Sequence, residues 1–408
     1  MHRVLRSACH LSASAGLLLS APVPLAAAQP PRARDLGIPL QGQPGPLNAI
    51  TDVAGVEVGH TTILRGSGPR VVGQGPVRTG VTAILPRGRA GTDEVFAAWF
   101  TLNGNGEMTG TTWVEESGQL GGPVMITNTH SVGVVQSATV EWAVKRGKAF
   151  AWSLPVVAET WDGSLNDING FHVTREHAWQ AIDAARGGPV TEGAVGGGTG
   201  MMCHEFKGGI GTASRRLPIA GTEYTVGVLV QCNYGLRRQF RLGGIPAGEA
   251  FAQPMPCYRG TMPASPEYAA CPAPGEEAGR GPAREEKGSI IIIVATDAPL
   301  LPHQLKRLVK RAALGIGRMG GVASNGSGDI FLAFSTQPVI EEGPAATWPV
   351  TMFLNNRISP LFEATVQATE EAILNALVAA RDMVGADDLL VPALPHEAVR
   401  AFVQRTRR

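Results

Sequence analysis

From residue 48 the chain alternates short β-like runs with glycine turns, as at 53–60 and 80–85. Apolar side chains at every second position predict strands there, because successive Cβ atoms leave opposite faces of a strand. Residues 132–146 change to helical spacing, 151–160 return to a strand, and 171–186 predict a second helix stopped by Gly187-Gly188-Pro189. Glycine-rich chain then leads to Gly211, and 224–231 form another apolar run of strand character.

The sharpest change follows. Residues 252–287 are dense in Pro, Gly, Glu and Arg and hold no period, which predicts an exposed, flexible loop. Directly after it stands Ser289-Ile290-Ile291-Ile292-Ile293-Val294-Ala295-Thr296, a β-branched run suited to a buried strand. A helix is expected next, with Pro302 in its first turn. Leu305, Leu308, Val309, Ala312, Ala313 and Ile316 share one face, and Lys306, Arg307, Lys310 and Arg311 cover the other. A strand at 329–335 and a long amphipathic helix at 361–383 complete the chain. The pattern is of two mixed α/β halves divided by a loop, with no repeat and no linker between independent domains.

Composition narrows the class. With 408 residues, 44% hydrophobic and only 17% charged, the chain can bury a large core. Its 35 basic and 34 acidic side chains give +1 and form no basic stripe, which argues against a nucleic-acid partner. Arg3 and Arg6, a small apolar stretch from about residue 11 to 25, and Ala26-Ala27-Ala28 read as an export signal spanning 1–28. The stretch is short and broken by Pro22 and Pro24, so it reads as a cleaved leader, with no membrane association afterwards and a periplasmic or secreted product. Its loss leaves 33 basic against 34 acidic side chains, a formal charge of −1. Four cysteines remain: Cys257 and Cys271 share a loop and are a candidate disulfide, whereas Cys203 and Cys232 lie in apolar runs and read as buried thiols. His204-Glu205 and His396-Glu397 each lack the second histidine of a zinc helix, and no metal or cofactor is expected.

Common nucleophile and nucleotide motifs are missing: there is no G-x-S-x-G, no S-x-x-K and no P-loop, and Gly196-Gly197-Gly198-Thr199-Gly200 does not open a dinucleotide site. Gly288-Ser289 remains. It is one of four Gly-Ser pairs, but the one that stands between a loop and the first residue of a buried strand. A glycine before the bond tolerates strained backbone angles and leaves its carbonyl open to attack. Attack by the Ser289 hydroxyl on that carbonyl, followed by hydrolysis, leaves a serine with a free α-amine. Such an amine has a pKa of roughly 7.7–8.0, close to where a general base works best.

Several long motifs then carry a resemblance in order along the chain. They are Val195-Gly196-Gly197-Gly198-Thr199-Gly200, Phe206-Lys207-Gly208-Gly209-Ile210-Gly211-Thr212-Ala213-Ser214, the run from Gly288 through Asp297-Ala298-Pro299-Leu300, Asn325-Gly326-Ser327-Gly328-Asp329, and Leu361-Phe362-Glu363-Ala364. The chain resembles the L-aminopeptidase/D-esterase and β-peptidyl aminopeptidase family over nearly its whole mature length. The resemblance implies a four-layer αββα sandwich, like that of N-terminal-nucleophile hydrolases and ornithine acetyltransferases. It also implies two chains cut from one precursor (29–288 and 289–408) and assembly into a homo-oligomer. By motif, Ser289 is the nucleophile, with Ser327 and Asp329 in support; family members carry Asp or Glu at the latter place. Asn233 would donate to the oxyanion, and Glu159 would hold the substrate ammonium. Trp161 stands where some members have a tyrosine of the oxyanion hole, and its role stays open. Short peptides, amino-acid amides or esters are the implied substrates.

Read without the resemblance, the same residues have plainer roles. Asn233 begins a turn before Gly235, Glu159 is a solvated acid at a strand end, and Ser327 and Asp329 belong to a turn. Two other functions fit the same architecture: an acyltransferase of the ornithine acetyltransferase kind, which cuts itself before threonine, and an uncut, non-catalytic periplasmic binding protein.

Overall fold

The computed structural model describes residues 30–406 apart from 92, 148–151, 261, 274, 277–284, 287 and 340–345. The leader read at 1–28 lies outside the described residues. The alternating region after residue 48 folds into β1 (Glu57–Arg65) and β2 (Val77–Leu85), paired antiparallel. Then follow β3 (Val95–Gly104), α1 (Thr111–Ser117), β4 (Gln119–Leu120) and β5 (Val124–Asn128). Helix α2 (Val132–Lys145), β6 (Val156–Thr160) and α3 (Arg175–Asp183) come next. One four-stranded sheet runs in the order β1-β2-β5-β6.

The second sheet adds β7 (Gly209–Ile219), β8 (Thr222–Asn233), β9 (Ser289–Thr296) and β10 (Gly328–Pro338). Its order is β4-β3-β10-β9-β8-β7, with β9 and β10 parallel and their outer neighbours antiparallel to them. Helices α4 (Pro302–Val309) and α5 (Ala312–Arg318) lie between β9 and β10 in the chain, and α6 (Ser359–Ala379) and α7 (His396–Thr406) follow β10.

Three hydrophobic layers separate four structural ones. Ala138 and Trp142 of α2 and Ala178 and Ala181 of α3 pack on Val77, Val81 and Met125 of the first sheet. Ile84, Ile126 and Val156 on that sheet's other face meet Ile291, Ile293 and Leu332 of the second. Ile290, Ile292 and Phe331 then pack against Leu305, Leu308, Ile316 and Ile373 of α4, α5 and α6. This is the αββα sandwich that the resemblance implied. It explains why β9 reads as an unbroken apolar run: both its faces are covered, so no position faces water. Each fully buried isoleucine there contributes about 2 kcal/mol of transfer free energy. Helix α6 lies so close on β7 that a Cβ at Gly211 would sit 2.0 Å from the Ala372 carbonyl oxygen. The helix-facing core draws residues from both sides of the 288–289 bond, and the chain from Pro31 onward forms one compact unit.

Several expectations are corrected in detail. The helix read across 305–316 is two helices, α4 and α5, with a break at Lys310-Arg311. The helix read from 171 begins at Arg175, because Phe171 takes a left-handed backbone (φ 52°) and Thr174 is the extended cap. The 252–287 segment is only partly exposed: Tyr258, Tyr268 and Glu286 are buried, and Cys257–Tyr258 pairs with Leu389–Val391. Cys257 and Cys271 are bonded. Cys203 and Cys232, read as thiols, are also bonded, since neighbouring strands place their Cα atoms 5.6 Å apart, within bridging range. Among the described residues no helix is long and apolar enough to cross a membrane.

Candidate active site

Three strand ends meet at one edge of the second sheet. The parallel pair β9 and β10 begins in register, Ser289 opposite Gly328, while antiparallel β8 ends there with Asn233 opposite Ser289. Residues far apart in sequence are thus adjacent because sheet register places them so. The Gly328 N–H donates to Ser289 Oγ at 3.1 Å, which leaves the hydroxyl proton of this buried serine free to be transferred. Gly288, just before it, does not have a left-handed backbone; its need for glycine is steric, because a Cβ would lie 2.0 Å from the Asn233 carbonyl oxygen.

Asn233 is buried and held at both ends of its amide. Its Oδ1 accepts from the Met202 N–H at 2.8 Å, and its Nδ2 donates to the Trp161 carbonyl at 2.8 Å. These contacts set which way the amide points and leave one Nδ2 hydrogen uncommitted. Trp161 thus contacts Asn233 through its backbone carbonyl, and its indole lies over Gly163, where a Cβ would be 2.8 Å from Nε1.

Close to Ser289, Ser327 Oγ donates to Asp329 Oδ1 at 2.7 Å, both side chains being buried. Asp329 Oδ2 has no hydrogen-bond partner among the described residues. Burial raises the carboxyl to about 6, opposed by the Ser327 hydroxyl and reinforced by nearby Glu286. Glu159, at the end of β6, is a buried acid and not a rim residue (3% exposed). It accepts from the Glu107 N–H at 3.0 Å and from the Thr129 hydroxyl. Burial raises its pKa against those two hydrogen bonds, and no ion pair reaches it among the described residues. A carboxylate held this way is completed by an arriving cation.

Glu159, Trp161 and Ser289 share a cavity of about 810 Å³, walled also by Asn105, Asn325 and Glu286. Asn233 and Gly288 line a smaller recess of about 60 Å³ beside it, with Trp161 and Glu286 common to both. The residues expected at the site are thus brought together, with Ser327 and Asp329 behind the wall and not in it. Among the described residues no three metal-ligating side chains cluster.

The sequence reading passed over what holds Asn233. Met202–Cys203 and Phe206–Lys207 form a tight hairpin whose turn is His204-Glu205, both with left-handed backbones (φ 49° and 58°). The pair that looked like half a zinc motif is a turn. Arg237 locks it by donating to the carbonyls of His204 (2.9 Å) and Glu205 (2.6 Å). Lys207 is buried, has no acid partner among the described residues, and donates Nζ to the carbonyls of Met201 (2.6 Å) and Gly208 (2.9 Å). The Cys203–Cys232 bond ties the hairpin to the strand that ends in Asn233. A lysine among glycines was visible in the sequence, but nothing there marked it as buried.

Comparison with known proteins agrees with this geometry. Peptidase family S58 matches residues 48–391. The chain is 54% identical over 396 residues to β-peptidyl aminopeptidase BapA of Sphingosinicella microcystinivorans, covering 97% of this chain and 96% of that protein. BapA of Sphingosinicella xenopeptidilytica is 47% identical over 381 residues, 92% and 91% of the two chains. Among solved structures, the L-aminopeptidase D-Ala-esterase/amidase from Ochrobactrum anthropi superposes with a TM-score of 0.81 at 45% identity, over 93% of this chain and 99% of that one. That enzyme is described as a prototype serine aminopeptidase with a variant of the Ntn hydrolase fold. This chain belongs to peptidase family S58 and is an aminopeptidase.

Proposed function

We propose that this aminopeptidase makes its own nucleophile by cutting the Gly288–Ser289 bond. Ser289 Oγ bonds to the Gly288 carbonyl carbon, the C–N bond breaks, and the hydroxyl proton passes to the departing nitrogen. Water then hydrolyses the ester, so that Gly288 ends in a carboxylate and Ser289 regains its hydroxyl with a free amine. In turnover that amine takes the Oγ proton as Oγ bonds to the carbonyl carbon of the substrate's first residue, and passes the proton to the leaving group as the scissile bond breaks. Water then hydrolyses the acyl-enzyme to release the residue and restore the hydroxyl. Asn233 faces the developing oxyanion as a neutral, already oriented donor. Ser327 and Asp329 orient protons around the nucleophile.

The single observation that carries the aminopeptidase chemistry to these residues is Glu159, a buried carboxylate with no ion-pair partner among the described residues, in the cavity that holds Ser289. A substrate's α- or β-ammonium supplies that cation and fixes the distance to the scissile carbonyl. The substrates are short peptides, amino-acid amides or esters, and the relatives' names favour N-terminal β-residues. The leader pattern at 1–28 and two disulfides support export to the periplasm or medium. Assembly of the processed units into a homo-oligomer rests on the resemblance.

Denaturing electrophoresis with N-terminal sequencing tests the proposal. Two chains are expected, the second beginning at Ser289; a single intact chain with full activity overturns it. A panel of α- and β-residue p-nitroanilides then reads the substrate preference.

A further inference from the structure

The segment just before the scissile bond holds a buried carboxylate that the chemistry above leaves unused. Glu286 is 5% exposed, although it lies in the most loop-like stretch of the sequence. Its Oε1 accepts from the Gly235 N–H at 2.9 Å. Its Oε2 accepts from the Ser324 hydroxyl at 2.6 Å and more distantly from Gln239 Nε2 at 3.4 Å. No lysine or arginine pairs with it among the described residues.

The two loops it joins carry the two halves of the site. Gly235 lies two residues beyond Asn233, on the chain against which Gly288 packs. Ser324 opens the turn that leads to Ser327, with the Ser327 N–H donating to the Ser324 carbonyl at 2.8 Å. That turn is fixed in turn by Asn103 of β3, whose Nδ2 donates to the carbonyls of Ala323 and Ser324. One side chain therefore clamps the departing chain between the oxyanion loop and the serine–aspartate loop, two residues from the bond to be cut. Two hydrogen bonds to a buried carboxylate are worth more than neutral ones and fix both its ends. Intramolecular attack depends steeply on such placement: a misplacement of about 1 Å can cost a hundredfold in rate.

We infer that Glu286 is the positioning residue of self-cleavage, a handle that seats the Gly288 carbonyl beside Ser289 and Asn233 in the uncut chain. It acts before processing, two residues ahead of what becomes the C-terminus of the first chain. The inference rests on the self-cleavage reading above.

The test follows the disappearance of freshly synthesised full-length precursor. Wild type should yield a second chain starting at Ser289. Glu286→Ala should cut about a hundredfold more slowly. Glu286→Gln keeps the shape and one acceptor oxygen, so it should recover part of the rate, and Ser324→Ala should lose less than Glu286→Ala. In a Ser289→Ala background, which cannot cut, adding Glu286→Ala should leave the melting temperature nearly unchanged. Cleavage of Glu286→Ala at the wild-type rate overturns the inference alone, whereas an uncut wild type overturns the self-cleavage reading beneath it. A large fall in melting temperature assigns Glu286 to the fold and also overturns it. So does restoration of the Glu286→Ala rate by added acetate, because a free carboxylate can replace a charge but not a tether.

Discussion

Ser289 and Asn233 sit opposite each other on neighbouring strands, yet they are held in different ways. Ser289 and the Ser327–Asp329 pair are placed by the parallel ladder of β9 and β10, whose register runs unbroken from Ser289↔Gly328 to Thr296↔Ser335. Backbone hydrogen bonds and two buried apolar faces do that work. Asn233 ends β8 and owes its amide's orientation to the Trp161 carbonyl and the Met202 N–H, the latter in a two-residue strand. That hairpin is held by a buried ammonium, a buried guanidinium and a disulfide. The proposed nucleophile half is ordered by repeated backbone pairings, whereas in the proposed oxyanion half the amide at the end of the ladder is aimed by a few side-chain contacts. Damage at one contact should spread further on the oxyanion side.

The largest effect tests the nucleophile half directly. Ser289→Ala removes the attacking oxygen while keeping a residue that fits the strand, so the chain should stay whole and folded. Turnover should fall by about a millionfold, the scale seen when a serine nucleophile is deleted elsewhere. Mass spectrometry of the intact chain, with a p-nitroanilide assay, reads both losses. Peptide hydrolysis retained in that variant would move the nucleophile to another residue.

A middle-sized effect tests the oxyanion half at a residue far from any substrate. Lys207→Met removes the donor to the Met201 and Gly208 carbonyls and loosens Met202, the group that aims Asn233. Two bare carbonyls cost about 1–3 kcal/mol each, while relief from burying an ammonium is worth several kcal/mol in return. Global stability should therefore change little, but kcat should fall between one and two decades with KM nearly constant. Asn233→Ala sets the upper bound, a loss of about a hundred- to a thousandfold. If Lys207→Met unfolds the protein, or raises KM alone, the hairpin does not serve the oxyanion.

This contrast also explains what was legible in the sequence. The four isoleucines of β9 announced a doubly buried strand beginning at Ser289, whereas Ser327 and Asp329 were singled out by the resemblance, and the register of β9 and β10 shows that they lie beside Ser289. The αββα layering needed the resemblance, because apolar runs do not say which sheet packs on which. Without the resemblance Glu159 reads as a solvated acid, because its protection comes from Glu107 and Thr129, distant in sequence. Cys203 and Cys232 lie 29 residues apart, and only folding reveals that their strands are adjacent. Glu286 was hidden by its neighbours: a segment rich in Pro, Gly and charge reads as exposed even when one of its acids is not.

The smallest effect separates the two proton-handling groups of the nucleophile half. The proton-handling role proposed for Asp329 needs its carboxylate form, and burial lifts its carboxyl to about 6, with the Ser327 hydroxyl opposing and Glu286 adding to the rise. Before the cut Ser289 has no free amine, so the self-cleavage rate should show one acid limb, falling to half near pH 6. After the cut the amine must also be unprotonated, so turnover should lose activity first through roughly pH 7.7–8.0 and more steeply below 6. Stability moves the other way. A folded-state pKa above the unfolded value near 4 means that the folded chain binds the extra proton. The carboxyl therefore destabilises the fold increasingly as pH rises from about 4 to 6, and by a constant amount beyond. Melting temperature should accordingly gain on acidification across the window in which cleavage slows, and Asp329→Asn should abolish both trends. One shared limb for cleavage and turnover would mean that the new amine is not the base.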